Sequence, residues 1–291
     1  MATLAIIPPS PPIPRLNAEI EDPLQTNQIK LAYMAAMRSR FRRVNSLVRR
    51  SIVDQNAFVI RNADTGPRAG ELTEEGQFFG PDDVAVAAFE AYVLRQAAKV
   101  ILETGADEST VYWAVAMERV YAQGVRQAIK SVPDPLLGPS TILRFPSTVE
   151  AIEILKARQL ELLKNVTTDM AANLRAIIAE GLRTGTPRTV LADRISKSIN
   201  GISFTRAQAI AATEITNGYA EATLDTLGSL GVTKVQALVE FTLNVLGFAE
   251  PCPRCIALAG QTFTIEGARG IIPVHVRCQC GWVPIVAARA A

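Results

Sequence analysis

Apolar residues recur at spacings of three and four along most of this chain, and the period changes only near its end. From about Asp22 to Ser51, the residues Leu31, Met34, Met37, Phe41, Val44 and Val48 mark one face of a helix. Two further helices are predicted over about 83–104 and 107–131. They are parted by Thr104-Gly105-Ala106-Asp107, where the glycine suits a C-terminal cap and Asp107 an N-cap. Helical patterning then continues over about 147–182, 186–198 and 203–229. Ser147-Thr148-Val149-Glu150 opens it as a capping box, and Thr184-Gly185-Thr186-Pro187 and Asn200-Gly201 supply the breaks. After Gly231 the residues become β-formers, at 235–243, 262–265 and 282–286. The expected fold class is α+β and predominantly helical. A helix-rich N-terminal part precedes a C-terminal domain of helices plus a small irregular β-module that carries a Cys/His cluster.

Three stretches lack a period. Pro8, Pro9, Pro11, Pro12 and Pro14 remove backbone donors and fix φ, so 1–21 reads as an extended arm. Such an arm is either a loose tail or a segment that docks on a neighbour in an assembly. Residues 54–82 read as a loop. Pro133, Pro135, Gly138, Pro139 and Pro146 mark 132–146 as a linker between a helical N-terminal region, 22–131, and a C-terminal domain, 147–291.

Composition narrows the class. Hydrophobic residues make up 48% and charged residues 20%, which suits a packed protein and excludes a disordered one. A net charge of +2 does not by itself point to nucleic acid. No apolar run reaches the ~18 residues needed to cross a bilayer, and the proline-rich start does not resemble a signal peptide. A soluble protein made in a cytoplasm, with reduced thiols and no membrane partner, is the expectation. The polar side of the first helix carries Lys30, Arg38, Arg40, Arg42, Arg43, Arg49 and Arg50. The plain reading is a solvated face. The sharper one has Arg42, Arg43, Arg49 and Arg50 meeting phosphates or an acidic partner.

Candidate chemistry is confined to the C-terminus. All four cysteines and the single histidine fall in the last 40 residues, as Cys252-Pro-Arg-Cys255 and His275-Val-Arg-Cys278-Gln-Cys280. A Cys-x-x-Cys turn lets two sulfurs reach one ion, and Cys-x-Cys in an extended segment points both sulfurs to one side. Five donors are thus available for the four positions of a structural zinc site. One or two disulfides, or plain reduced cysteines in a small core, are the other readings. A catalytic zinc fits less well, since no His-Glu-x-x-His motif is present. A thioredoxin-like centre also fits less well, because β-prone residues and not a helix are expected after Cys255.

The order of these motifs resembles the phage head morphogenesis family, the minor head proteins similar to those of phages Mu and SPP1. Arg206 and the Thr213-Glu214 pair stand on a helix. Then come Cys252-x-x-Cys255, Ala257-Leu258-Ala259-Gly260, and Pro273-Val-His275-Val-Arg-Cys278-Gln-Cys280. The resemblance covers about 150–290 and is most specific in the Cys/His spacing. In place of the aromatic and acidic stretch usual before the first cysteine, this chain has Asn244-Val-Leu-Gly-Phe-Ala-Glu-Pro251. The resemblance implies a minor structural protein of a tailed-phage virion, without turnover. It would sit at the portal or inner capsid and act in head assembly, DNA packaging or ejection, with portal protein, major capsid protein and packaged DNA as partners. Glu214 then pairs with a basic residue or caps a backbone group. The rival readings make Glu214 the catalytic carboxylate of an ADP-ribosyltransferase-like enzyme, or make the chain a zinc-knuckle DNA binder.

Overall fold

The computed structural model describes residues 24–55, 83–107, 109–132, 147–229, 235–244 and 251–288. The proline-rich arm, most of the 54–82 loop and nearly all of the 132–146 linker lie outside them. Five long helices come first: α1 (Asn27–Val53), α2 (Asp83–Val100), α3 (Tyr112–Lys130), α4 (Ser147–Arg183) and α5 (Arg188–Ser229). The C-terminal module follows as β1 (Val235–Thr242), α6 (Pro253–Leu258), β2 (Thr262–Thr264), α7 (Ile265–Ala268) and β3 (Gly281–Ala288). The fold is α+β and mostly helical, with a small three-stranded antiparallel sheet in the order β2-β1-β3.

Helix α1 buries Met34, Met37, Phe41, Val44 and Val48 as the pattern predicts, but its first turn is rotated from the expected face. Lys30 is fully buried and Leu31 is 45% exposed. Counted back from Phe41 at about 100° per residue, Lys30 lies about 20° from the buried line and Leu31 about 80° from it. Helical geometry therefore outranks side-chain polarity here.

Two boundaries also move. Helix α2 stops at Val100, and the chain reverses at Glu103 (φ 53), with the Thr104 amide donating to the Ala98 carbonyl at 3.2 Å. Glu103, held by Arg40, is thus the first left-handed residue after α2, and Gly105 (φ 84) is a second two residues on. Asp107 does not cap α3. Its carboxylate accepts the Ser109 amide at 2.9 Å in a turn, and Val111 precedes the helix.

Helix α5 runs unbroken through Asn200-Gly201, where the sequence predicts a break. Ile195, Ile199, Ser203 and Ala207 are buried on one line across that point. Their burial outweighs the ~1 kcal/mol that an interior glycine costs a helix.

One large core joins α1 to α5, so the helices on both sides of 132–146 pack together. Helix α5 touches α1, α3, α4, α7 and β3. Its approach to α3 is close enough to require glycine: a Cβ on Gly124 would lie 2.6 Å from Ala222 Cβ and 2.7 Å from the Tyr219 carbonyl. A second core places Val239, Phe241 and Trp282 of the sheet against Ala220, Leu224 and Leu227 of α5. The N-terminal end clamps the two together. Leu24 packs over Gly281, Gln123 donates to Gln25 at 3.2 Å, and Asn244 donates to Asn27 at 3.2 Å. Among the described residues, no helix is long and apolar enough to cross a membrane.

Gly124→Ala is expected to push α3 from α5 and lower unfolding stability by about 1–3 kcal/mol. Denaturant unfolding that matched the wild type would refute the close approach.

Candidate metal centre

Sheet register brings the two halves of the Cys/His motif together. Thr242, at the end of β1, pairs with Gly281, at the start of β3. Asn244, just past β1, and Cys280, which leads into β3, therefore lie at the same end of the sheet. The loop after α6 closes at that end, where the Gly260 amide donates to the Phe241 carbonyl at 2.9 Å and the Phe241 amide to the Gln261 carbonyl at 2.9 Å. Gly260 has φ +77, a conformation that favours glycine, which gives this motif position a backbone reason.

Cys252 is the N-cap of α6, with Pro253 at the first helical position, and its sulfur accepts the Cys255 amide at 3.4 Å. The Cys-x-x-Cys turn thus follows a strand and opens a short helix, contrary to the sequence expectation. What separates it from a dithiol redox centre is the company it keeps. Cys252, Cys255 and His275 offer donor atoms within 4.8 Å of one another, and so do Cys255, Cys278 and Cys280. Cys255 belongs to both groups. Cys255, Cys278 and Cys280 are buried and all four thiols are free, while Cys252 and His275 lie nearer the surface.

His275 is oriented as a ligand would be. Its Nδ1 lies 2.7 Å from the Val276 carbonyl, an acceptor, so Nδ1 carries the proton and donates. The lone pair is left on Nε2, which sits 3.2 Å from Cys255 Sγ. Such an outer hydrogen bond fixes the tautomer of metal-binding histidines. The thiols are driven apart in acidity. A hydrogen bond from Cys280 draws Cys278 down to about 5. The Cys255 amide lowers Cys252. Burial pushes Cys255 up to about 12, and Cys280 rises because its thiol keeps its proton to donate a hydrogen bond to Cys278 and is buried. Four thiols and one imidazole at one end of the sheet, with one thiol held well below its ordinary value, fit a metal site.

The loop is tied to α5 by a contact that sequence spacing did not reveal. Thr213 Oγ1 accepts the Arg277 amide at 2.8 Å and donates to the Ala209 carbonyl at 2.8 Å. Arg277 has φ 68, and the Cys278 amide returns to the His275 carbonyl at 3.0 Å. Pro273 lies in the same loop after a cis peptide. Glu214, the next residue of α5, turns elsewhere. Its side chain is 4% exposed, and Arg158 of α4 grips it through Nε at 3.0 Å and Nη2 at 3.3 Å. Burial raises the Glu214 carboxyl, and the Arg158 charge opposes that. Arg206, about 80° round the helix from Glu214, is exposed and pairs with Asp169 at 3.1 Å. A separation of eight residues, about two turns, reads in the sequence as one shared face, but the 80° offset and these different partners put the two side chains on different sides of α5. No signal in sequence names Arg158 as the partner.

Of the basic stripe on α1, Lys30 is buried and Arg40 is spent on Glu103 and on the Tyr112 ring, 3.9 Å away. Arg49 pairs with Asp193, while Arg42, Arg43 and Arg50 are exposed.

Thr213→Val keeps the shape of the side chain and removes the acceptor. It is expected to cost about 1–3 kcal/mol and to expose the Arg277 amide to hydrogen exchange. Unchanged protection at that amide would show that the contact does not hold the loop.

No protein-family profile, curated protein or solved structure matches this chain.

Proposed function

We propose that this chain is a minor structural protein of a tailed-phage head, acting at the portal or inner capsid by adhesion and without turnover. The observation that carries the reading is the Thr213–Arg277 contact. It joins the helical half of the motif to the Cys/His half, which lie 64 residues apart in the chain. The resemblance to the head morphogenesis family rests on those two halves occurring in that order, and their physical union gives the order a structural reason. Arg158 closes over Glu214, which supports a packing role for that carboxylate. The groove between α1 and α3, of about 470 Å³, is lined by residues that include Tyr33, Tyr112 and Arg119 and do not include Glu214. The reading is tested by capturing the tagged chain from cells that are producing particles. Portal and major capsid proteins should co-purify, and recovery of neither would sink it.

Zinc is the metal we propose for the cluster. Thiolates with one imidazole suit a borderline-soft ion in a reducing compartment, and tetrahedral closure leaves one of the five donors spare. Zinc would crosslink the β1–β2 connection to the segment entering β3. The Cys module's own apolar core is small, built mainly from Val239, Phe241, Ile265, Ile272 and Trp282, so this crosslink adds folding free energy directly.

Freshly purified reduced protein should hold about one zinc per chain. Less than about 0.2 per chain would exclude a resident structural zinc. Replacing both Cys252 and Cys255 by Ser should release the metal and expose 251–288 to protease while α1–α4 keep their helical signal.

A further inference from the structure

We infer that the seam between α1 and the first half of α5 is a phosphate-binding face for duplex DNA. This does not rest on the head-protein reading, and it uses a surface away from the Cys/His cluster. Helix α1 contains no acidic residue in 27 positions. From 188 to 213, α5 contains one, Asp193. The two segments lie side by side and antiparallel. Arg49 pairs with Asp193, Asn45 donates to Asn200 at 3.3 Å, and Arg38 lies 4.5 Å over the ring of Phe204.

Those contacts fix what lies next to them. Lys197 stands between Asp193 and Asn200 on the exposed side of α5, with Arg194 beside it. Across the seam α1 offers Arg42, Arg43 and Arg50, also exposed. None of these five has an ion-pair partner among the described residues. The chain as a whole carries a net charge of only +2, so this concentration of one sign is a local asymmetry. The helices beneath are rigid, since Phe41, Val44, Val48, Ile195 and Ile199 are fully buried under the seam.

The same observations favour DNA over an acidic protein. From Arg42 to Arg50 the helix rises about 12 Å, a length over which duplex DNA presents about seven phosphates. Guanidinium groups suit phosphate oxygens, and five unneutralised cations offer the counter-ion release that drives such binding. A protein interface needs an apolar centre. In this seam the large exposed apolar side chains of α5, Val190 and Phe204, stand 14 residues apart, about 21 Å along the helix, and Arg38 stacks on the Phe204 ring, so they form no common centre.

The test uses the full chain and a fluorescent duplex of about 30 base pairs, titrated across a salt series. The wild type should bind with log K falling steeply against log salt. The triple variant Arg42→Gln, Arg43→Gln, Lys197→Gln should flatten that slope by about three and weaken binding by about two orders of magnitude near 0.1 M salt. All three sites are exposed, so its thermal melt should match the wild type and separate lost binding from lost folding. Arg254→Gln, on the Cys/His module, should leave binding unchanged. Absence of wild-type binding near 0.05 M salt, or a triple variant that binds like the wild type, would overturn the proposal. So would a loss that follows Arg254→Gln. Displacement of the DNA by polyglutamate at equal charge would reassign the face to an acidic protein.

Discussion

Burial of α5 on several sides at once is the constraint on which this structure depends. From Ile210 to Leu227 nearly every residue is inside, because α1, α3, α4 and the C-terminal module all pack on one 42-residue helix. Such a helix cannot be amphipathic in the ordinary sense. It meets the demand with small side chains, Ala211, Ala212, Gly218, Ala220 and Ala222, that let neighbours approach. Two of its buried hydroxyls are satisfied within the helix: Thr223 donates to the Tyr219 carbonyl at 2.9 Å and Thr226 to the Ala222 carbonyl at 2.7 Å. No polar partner from outside is needed for these two groups.

The metal centre inherits its placement from that helix. Leu224 and Leu227 supply part of the module's core, and Thr213 holds the turn that carries Cys278. The Cys/His cluster is therefore not an independent finger. A metal there would crosslink two segments whose sheet register and helix contact already bring them together. Less chain entropy remains to be removed than in a free peptide, so binding and folding are coupled only within the module.

Charge is distributed by the same architecture. Arg40 and Arg158 are consumed by Glu103 and Glu214, each at a junction between helices. Among the arginines without an ion-pair partner, Arg42, Arg43, Arg50 and Arg194 lie where α1 and α5 meet solvent. A near-neutral chain thereby acquires one basic face, which composition alone does not disclose.

Much of the fold was legible in the sequence. The 3.6-residue period located the long helices and the β-formers located three strands, because burial of one face is a local demand that each segment expresses by itself. The five donors were equally legible, since thiols and imidazoles occur nowhere else in the chain. Tertiary structure decided the rest. Gly201 did not end α5 and Lys30 went inside, because packing free energy summed over a whole interface exceeds the preference of one residue. The partner of Glu214, the anchor at Thr213 and the basic seam were not readable, because each pairs residues from separate helices or loops. Sequence specified which side chains could do chemistry. Only the convergence of distant segments on α5 decided which of them meet.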